Sequence, residues 1–181
     1  MRQQRGFTLI ELMIGIGLLA LLLSMAVPAL DTFTSNARQT GAINDFVSSL
    51  HVARSTAVTT NSRVTVCPSD TGLRCAAVDW DQGWIVFRDP NSNQIVDLDE
   101  TIVSTGSRIA GASFDSAEFG SFLTYRPNGR VMNASVNGSV GQFTLCDGRG
   151  SSHAKVMIID LSGRPRYSEY QIDGSTPSCG S

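Results

Sequence analysis

The sequence predicts an α+β protein, with one long amino-terminal helix packed on a mostly antiparallel β-sheet domain. Three observations carry that prediction. An almost unbroken apolar run extends from Phe7 to Leu30. Apolar residues then recur at helical spacing at Ile43, Phe46, Val47, Leu50, Ala53 and Ala57. From Ser62 onward the period drops to two, and turn residues punctuate the chain at short intervals.

Taken in order, residues 1–6 form a short basic leader, Met-Arg-Gln-Gln-Arg-Gly. Residues 7–30 are long enough to span a bilayer, which needs about 20 apolar residues at a rise of roughly 1.5 Å each. Arg2 and Arg5 precede the span, and positive flanks stay on the cytoplasmic side. The reading is a single-pass segment in the inner membrane with the remainder outside the cytoplasm. Glu11 interrupts the apolar run. A lone carboxylate in lipid is costly and marks a functional position that needs a partner group.

Residues 31–60 continue the helix beyond Pro28 as an amphipathic half. Its apolar stripe faces the domain, and Asn36, Arg38, Gln39, Asp45 and Arg54 mark the wetter faces. Residues 61–181 form the β-rich domain. Strands are expected at 63–67, 83–88, 101–104, 121–126, 129–132, 142–146 and 155–161. Turns are expected at Pro127-Asn128-Gly129, Asn137-Gly138 and Ser162-Gly163. The Gly/Ser-rich tail after Asp173 has no pattern of its own. The four cysteines, Cys67, Cys75, Cys146 and Cys179, read as two disulfides in an exported domain. Three pairings exist. A short loop containing Pro68, Asp70 and Gly72 favours Cys67–Cys75, leaving Cys146–Cys179 to tie down the tail. Zinc is disfavoured, since there is no CxxC pair and neither His is near in sequence.

The amino terminus resembles the class III signal of type IV pilins. The residues that carry the resemblance are Gly6, Phe7, Thr8, Leu9, Glu11 and Pro28. It implies cleavage between Gly6 and Phe7 by a prepilin peptidase, methylation of the new amino terminus, and retention of the apolar segment. It also implies that Glu11 is an assembly residue, pairing with the amino terminus of a neighbouring subunit. An unpaired buried charge would be strongly unfavourable. A secretory signal peptide would need a cleavage site after the apolar stretch, and Ser24-Met25-Ala26 is a poor one. A plain membrane anchor would need neither the Gly6-Phe7 junction nor the acid.

Charge is unevenly distributed. The whole chain has 14 basic and 16 acidic side chains, and loss of Arg2 and Arg5 with the leader leaves 12 against 16, a net −4. That balance argues against non-specific nucleic-acid binding driven by bulk charge. From Cys67 to Glu118 nine acids face three arginines. From Phe119 to Ser168 the balance reverses, with Arg126, Arg130, Arg149, Lys155, Arg164 and Arg166 against Asp147 and Asp160. That reversal predicts a locally basic face.

The globular part resembles the GspH/FimT branch of minor pilins and pseudopilins, most nearly its FimT-type members. The residues that carry it are the Cys-x7-Cys loop, Trp84-Ile85-Val86-Phe87-Arg88-Asp89, the acidic stretch to Glu100, and Tyr125-Arg126-Pro127-Asn128-Gly129-Arg130. It implies a low-abundance subunit that assembles with other minor and major pilins. Gly163-Arg164-Pro165-Arg166 looks like the GRxR motif of FimT-type pilins, which bind DNA in natural transformation. On that reading Arg164 and Arg166 splay from an exposed loop, Gly163 lets it turn, and Arg149 and Lys155 widen the patch. Double-stranded DNA would be held by its phosphates, which arginine forks engage without reading bases. Tyr167 is a weaker candidate contact. The competing interpretation pairs both arginines with Asp160 or Glu169. It leaves a structural, assembly-priming pilin or type II secretion pseudopilin that touches no DNA.

Other motifs carry less. Asp89, Asn91, Asn93, Asp97 and Glu100 have the spacing of a calcium loop, but Gln94 stands where its glycine belongs. A polar hairpin turn explains them equally well. His153 beside Ser151 and Ser152 suggests only a Gly/Ser-rich loop. No phosphate cradle, close carboxylate pair or metal motif stands out, so neither catalysis nor a cofactor is expected.

Overall fold

A computed structural model of the chain describes residues 6–133 and 140–180; the leader residues 1–5 and the Asn137-Gly138 turn lie outside them. The chain divides into an amino-terminal unit, Met1–Thr40, and a second unit, Gly41–Ser181. Helix α1, Leu9–Thr59, runs from the first into the second and continues past Pro28. Its start is set by a capping box. Thr8 Oγ1 accepts the Glu11 amide at 3.3 Å, and the Glu11 carboxylate accepts the Thr8 amide at 3.1 Å. In the first unit the large apolar side chains from Leu9 to Leu23 are all exposed. This helix is long and apolar enough to cross a membrane.

In the second unit α1 buries the expected stripe: Ile43, Phe46, Leu50, Ala53 and Ala57 are each at most 1% exposed. One residue of this unit expected on a wet face differs: Arg54 is half-buried. Arg54 turns inward because its Nε donates to the carbonyl oxygen of Gly129 at 3.2 Å.

Among the described residues, nine strands form two antiparallel sheets. The first has the order β3 (Ile102–Gly106), β2 (Trp84–Arg88), β1 (Val64–Pro68), β5 (Leu123–Tyr125), β6 (Val131–Asn133). The second has the order β4 (Ala112–Asp115), β7 (Gly141–Asp147), β8 (Lys155–Ile159), β9 (Pro165–Ser168). Seven of these match expected strands to within a few residues. β4 and β9 were not anticipated.

Phe46 joins the helix to both sheets. Its ring stands edge-on to Trp84 of the first sheet at 4.9 Å, and to Phe114 and Phe143 of the second at 5.0 and 4.8 Å. Trp84 Nε1 donates to Ser49 Oγ at 2.9 Å, which satisfies a polar atom the core would otherwise strand. The outer face of the first sheet is also covered. Cys67, Ile85 and Phe87 pack there with Cys75, Val96, Ile102 and Phe122. Strand β1 is buried on both faces as a result, unlike a half-solvated antiparallel strand.

Cys67 is bonded to Cys75, and Cys146 to Cys179. The second bond holds the tail near β7, where the Ile172 amide donates to Gln142 Oε1 at 2.7 Å. The Cys179 amide donates to Ser151 Oγ at 3.1 Å.

Phe46→Ala removes the ring that both sheets share and should cost about 3–5 kcal/mol. Ser49→Ala leaves the Trp84 indole N–H unpaired and should cost about 1–3 kcal/mol. Urea unfolding with both disulfides intact measures each, and the Phe46 variant should lose more.

Candidate nucleic-acid interface

Strand register places the GRxR segment. Ile159 pairs with Pro165, Ile158 with Arg166 and Met157 with Tyr167. Residues 160–164 are therefore the turn of a β8–β9 hairpin, and β9 is the edge strand of its sheet. The expectation of an exposed loop is corrected here: Pro165 and Arg166 belong to a strand, and Gly163 is buried. Proline is tolerated as the first residue of an edge strand because it owes no ladder donor there. Arg164 and Arg166 are both exposed. By the alternation of the pleat, Arg166 shares a face with Ile158, while Tyr167 shares the helix-side face with Met157. Tyr167 Oη donates to Asn44 Oδ1 of α1 at 2.6 Å, so it anchors the hairpin.

Asp160 organises the turn from inside. Its Oδ1 accepts the Ser162 hydroxyl at 2.5 Å and the Ser162 amide at 2.8 Å. The Ser162 hydroxyl bond above all, with the amides of Ser162 and Arg164 and the charge of Arg166, holds its carboxyl below the usual 3.8. Among the described residues neither Arg164 nor Arg166 makes an ion pair within 4.0 Å, and the one ion pair is Arg149–Asp147. Asp160 spends its hydrogen bonds on Ser162 and feels the charge of Arg166 without forming an ion pair within 4.0 Å.

Gly163 joins this turn to a second one. It has φ +71°, and a Cβ there would stand 2.3 Å from the carbonyl oxygen of Gly129 and 2.9 Å from the Tyr125 ring. Tyr125 Oη donates to the Gly163 carbonyl oxygen at 3.0 Å. Burial pushes the Tyr125 phenol far up, so it stays protonated and keeps donating. The second turn, between β5 and β6, is closed by the Gly129 amide on Arg126 O at 2.8 Å and the Arg126 amide on Arg130 O at 2.9 Å. Arg54, Arg126 and Arg130 thus gather around the glycine contact that also carries Arg164.

Arg149 and Lys155 are placed elsewhere. Lys155 pairs with Leu145 at the far end of β8, four residues and about 13 Å from Ile159. Alternation puts it on the opposite face from Arg166. Arg149 lies in the β7–β8 connection at that same end, and Asp147 holds it through Nη2 to Oδ2 at 2.6 Å. Neither joins Arg164 and Arg166 in one cluster. The turn that meets Gly163 carries Arg126 and Arg130, which were visible as part of the 119–168 charge excess, but no local motif tied them to Gly163.

The remaining candidates are spent on structure. Asp89 is fully buried and accepts from Thr65 Oγ1 at 2.7 Å and from the Asn93 and Gln94 amides at 3.1 and 3.3 Å. Asp97 Oδ2 accepts the side-chain amides of Asn91 and Asn93, each at 2.9 Å. The calcium-like spacing is thus a loop wound around its own carboxylates. Ser151 accepts the Cys179 amide, and Ser152 Oγ lies 3.0 Å from His153 Nδ1 on the exposed surface. At the amino terminus Gly6 and Phe7 are exposed, and Glu11 Oε2 also accepts the Thr8 hydroxyl at 3.0 Å.

Gly163→Ala combines a left-handed φ with an impossible Cβ contact and should cost about 2–4 kcal/mol. The Asp160 effect has a defined sign. Its folded value lies below 3.8, so its stabilisation is present above about pH 4 and is lost as pH falls through the folded value. Thermal melts of Asp160→Asn from pH 6 to pH 2 should show a shallower acid limb than the parent.

A family model described as type II transport protein GspH matches residues 42–163. A model of the prokaryotic N-terminal methylation motif matches residues 1–27. The fold is similar to the crystal structure of the type IV minor pilin FimU from Pseudomonas aeruginosa in space group P21. That match has a TM-score of 0.57 and 21% identity, covering 75% of this chain and 92% of that one. The FimU structure in space group P65 gives a TM-score of 0.55 and 18% identity, over 71% of this chain and 91% of that one. No curated protein matches. With its amino-terminal methylation motif and type IV pilin-like fold, the chain belongs to the GspH family.

Proposed function

We propose that this GspH-family protein is a minor type IV pilin that binds extracellular double-stranded DNA for natural transformation. The carrying observation is the β8–β9 hairpin, which exposes Arg164 in its turn and Arg166 on its edge strand, neither in an ion pair within 4.0 Å among the described residues. The turn is rigid, since Tyr125 and Gly129 fix Gly163 from behind. A preordered turn loses little entropy when it engages phosphate, and arginine forks suit phosphate oxygens. Contacts of this type neutralise charge without reading bases, so sequence preference should be slight.

Prepilin peptidase would cut between Gly6 and Phe7, and the subunit would wait in the inner membrane with its domain in the periplasm. In that state the Thr8 amide and hydroxyl satisfy Glu11 locally. Assembly with other pilins would then exchange those bonds for a neighbouring subunit's charged amino terminus. The burial pattern supports a binding and assembly protein rather than an enzyme, because its buried acid Asp89 is saturated by a hydroxyl and two amides.

The second interpretation is an assembly-priming pilin or secretion pseudopilin without DNA binding, and the type II transport description of the family favours it. Cells carrying Arg164→Gln/Arg166→Gln separate the two. The DNA reading predicts loss of transformation with normal piliation. The priming interpretation predicts transformation unchanged. With purified full chain in non-ionic detergent, anisotropy should show modest, salt-sensitive binding to a labelled duplex, abolished in the double variant.

A further inference from the structure

We infer that Arg126 and Arg130, on the β5–β6 turn, are a second pair of phosphate contacts in the same interface as Arg164 and Arg166. The inference rests on the DNA-binding reading above and gives that interface a second arm. Proximity is the first ground. Gly129 adjoins Arg130, and its carbonyl oxygen is where a Gly163 Cβ would clash, so the two turns touch backbone to backbone. Arg164 directly follows Gly163 in sequence.

Rigidity is the second ground. The Arg126 amide bonds Arg130 O at 2.9 Å, the Gly129 amide bonds Arg126 O at 2.8 Å, and the Arg130 amide bonds Asn128 Oδ1 at 3.1 Å. Both arginines therefore leave the base of one closed turn. Arg54 bonds the Gly129 carbonyl oxygen through Nε, so it positions this turn from the helix side.

The third ground is missing charge compensation. Arg126 and Arg130 make no ion pair within 4.0 Å among the described residues. Arg126 Nε is buried without a hydrogen-bond acceptor, which is costly for a charged group. The carboxylates on hand are engaged: Asp89 by Thr65, Asn93 and Gln94, and Asp160 by Ser162. Bringing uncompensated guanidinium groups together is unfavourable, and a polyanion laid across both turns relieves it. A phosphodiester strand is such an anion, and it reaches both turns without base contacts.

The test uses full chain in non-ionic detergent, a fluorescent duplex, and dissociation constants measured over a range of salt. Each lost phosphate contact lowers the slope of log K against log salt by about 0.9. Arg126→Gln/Arg130→Gln should lower it by about 1.8 and weaken low-salt binding by roughly tenfold or more. Arg130→Gln alone, at an exposed site, should lower it by about half as much, and it serves if the double variant fails to fold. Arg74→Gln, an exposed arginine of the Cys67–Cys75 loop, controls for net charge and should leave the slope unchanged. Slope and affinity unchanged in Arg130→Gln, while Arg164→Gln/Arg166→Gln loses binding, would overturn this inference and leave the DNA reading standing. Absence of salt-dependent binding in the parent would overturn both.

Discussion

The constraint on which the proposed surface depends is the close approach of Gly163 to the carbonyl oxygen of Gly129. No side chain fits between them, and the turn at Gly163 needs a left-handed backbone. That contact makes one surface from two hairpins belonging to different sheets. Tyr125 and Arg54 reinforce it from the core and from the helix, each with a hydrogen bond to one of the two glycine carbonyls. Basic residues far apart in sequence come together only because this joint exists. A larger residue at Gly163 would push the hairpins apart, whereas one at Gly129 would press on the Arg54 side chain.

Electrostatics then follow from how the acids are used. The chain is net acidic, with 16 acidic against 14 basic side chains, yet several carboxylates are turned inward on amides and hydroxyls. Asp89 anchors the loop after β2, Asp97 gathers Asn91 and Asn93, and Asp160 closes the turn beside Arg164. Asp147 neutralises Arg149 at the opposite end of β8. What remains outward near the glycine joint is a set of arginines. On the proposed reading, a local field of this kind would attract a polyanion although the protein as a whole repels it. The Phe46 cluster has a supporting role, because the two sheets are held in fixed relation by the ring they share.

Much of this was legible in the sequence. The apolar run, the Ile43–Ala57 stripe and the alternating segments carry their periods openly, and α1 with seven strands lies where those periods put it. Strand β4 was missed because Ala112-Ser113-Phe114-Asp115 offers a single large apolar residue. Strand β9 was missed because Gly163 and Pro165 read as loop punctuation, whereas pairing with β8 overrides that local signal. The expectation that Arg149 and Lys155 widen the Arg164–Arg166 patch meets the register of β8 for a related reason. Arg149 and Lys155 are nearer to Arg164 in sequence than Arg126 and Arg130 are, but β8 carries them to the other end of the sheet. Tertiary contact at a glycine leaves no periodic trace, so only the fold reveals which turns meet.

The most direct test of the central claim is amide hydrogen exchange of the full chain in detergent, with and without a short duplex. The account predicts slower exchange in residues 126–130 and 160–168 together, with residues 147–155 unchanged. Slowing confined to 147–155, or no slowing at a DNA concentration that saturates binding, would contradict it.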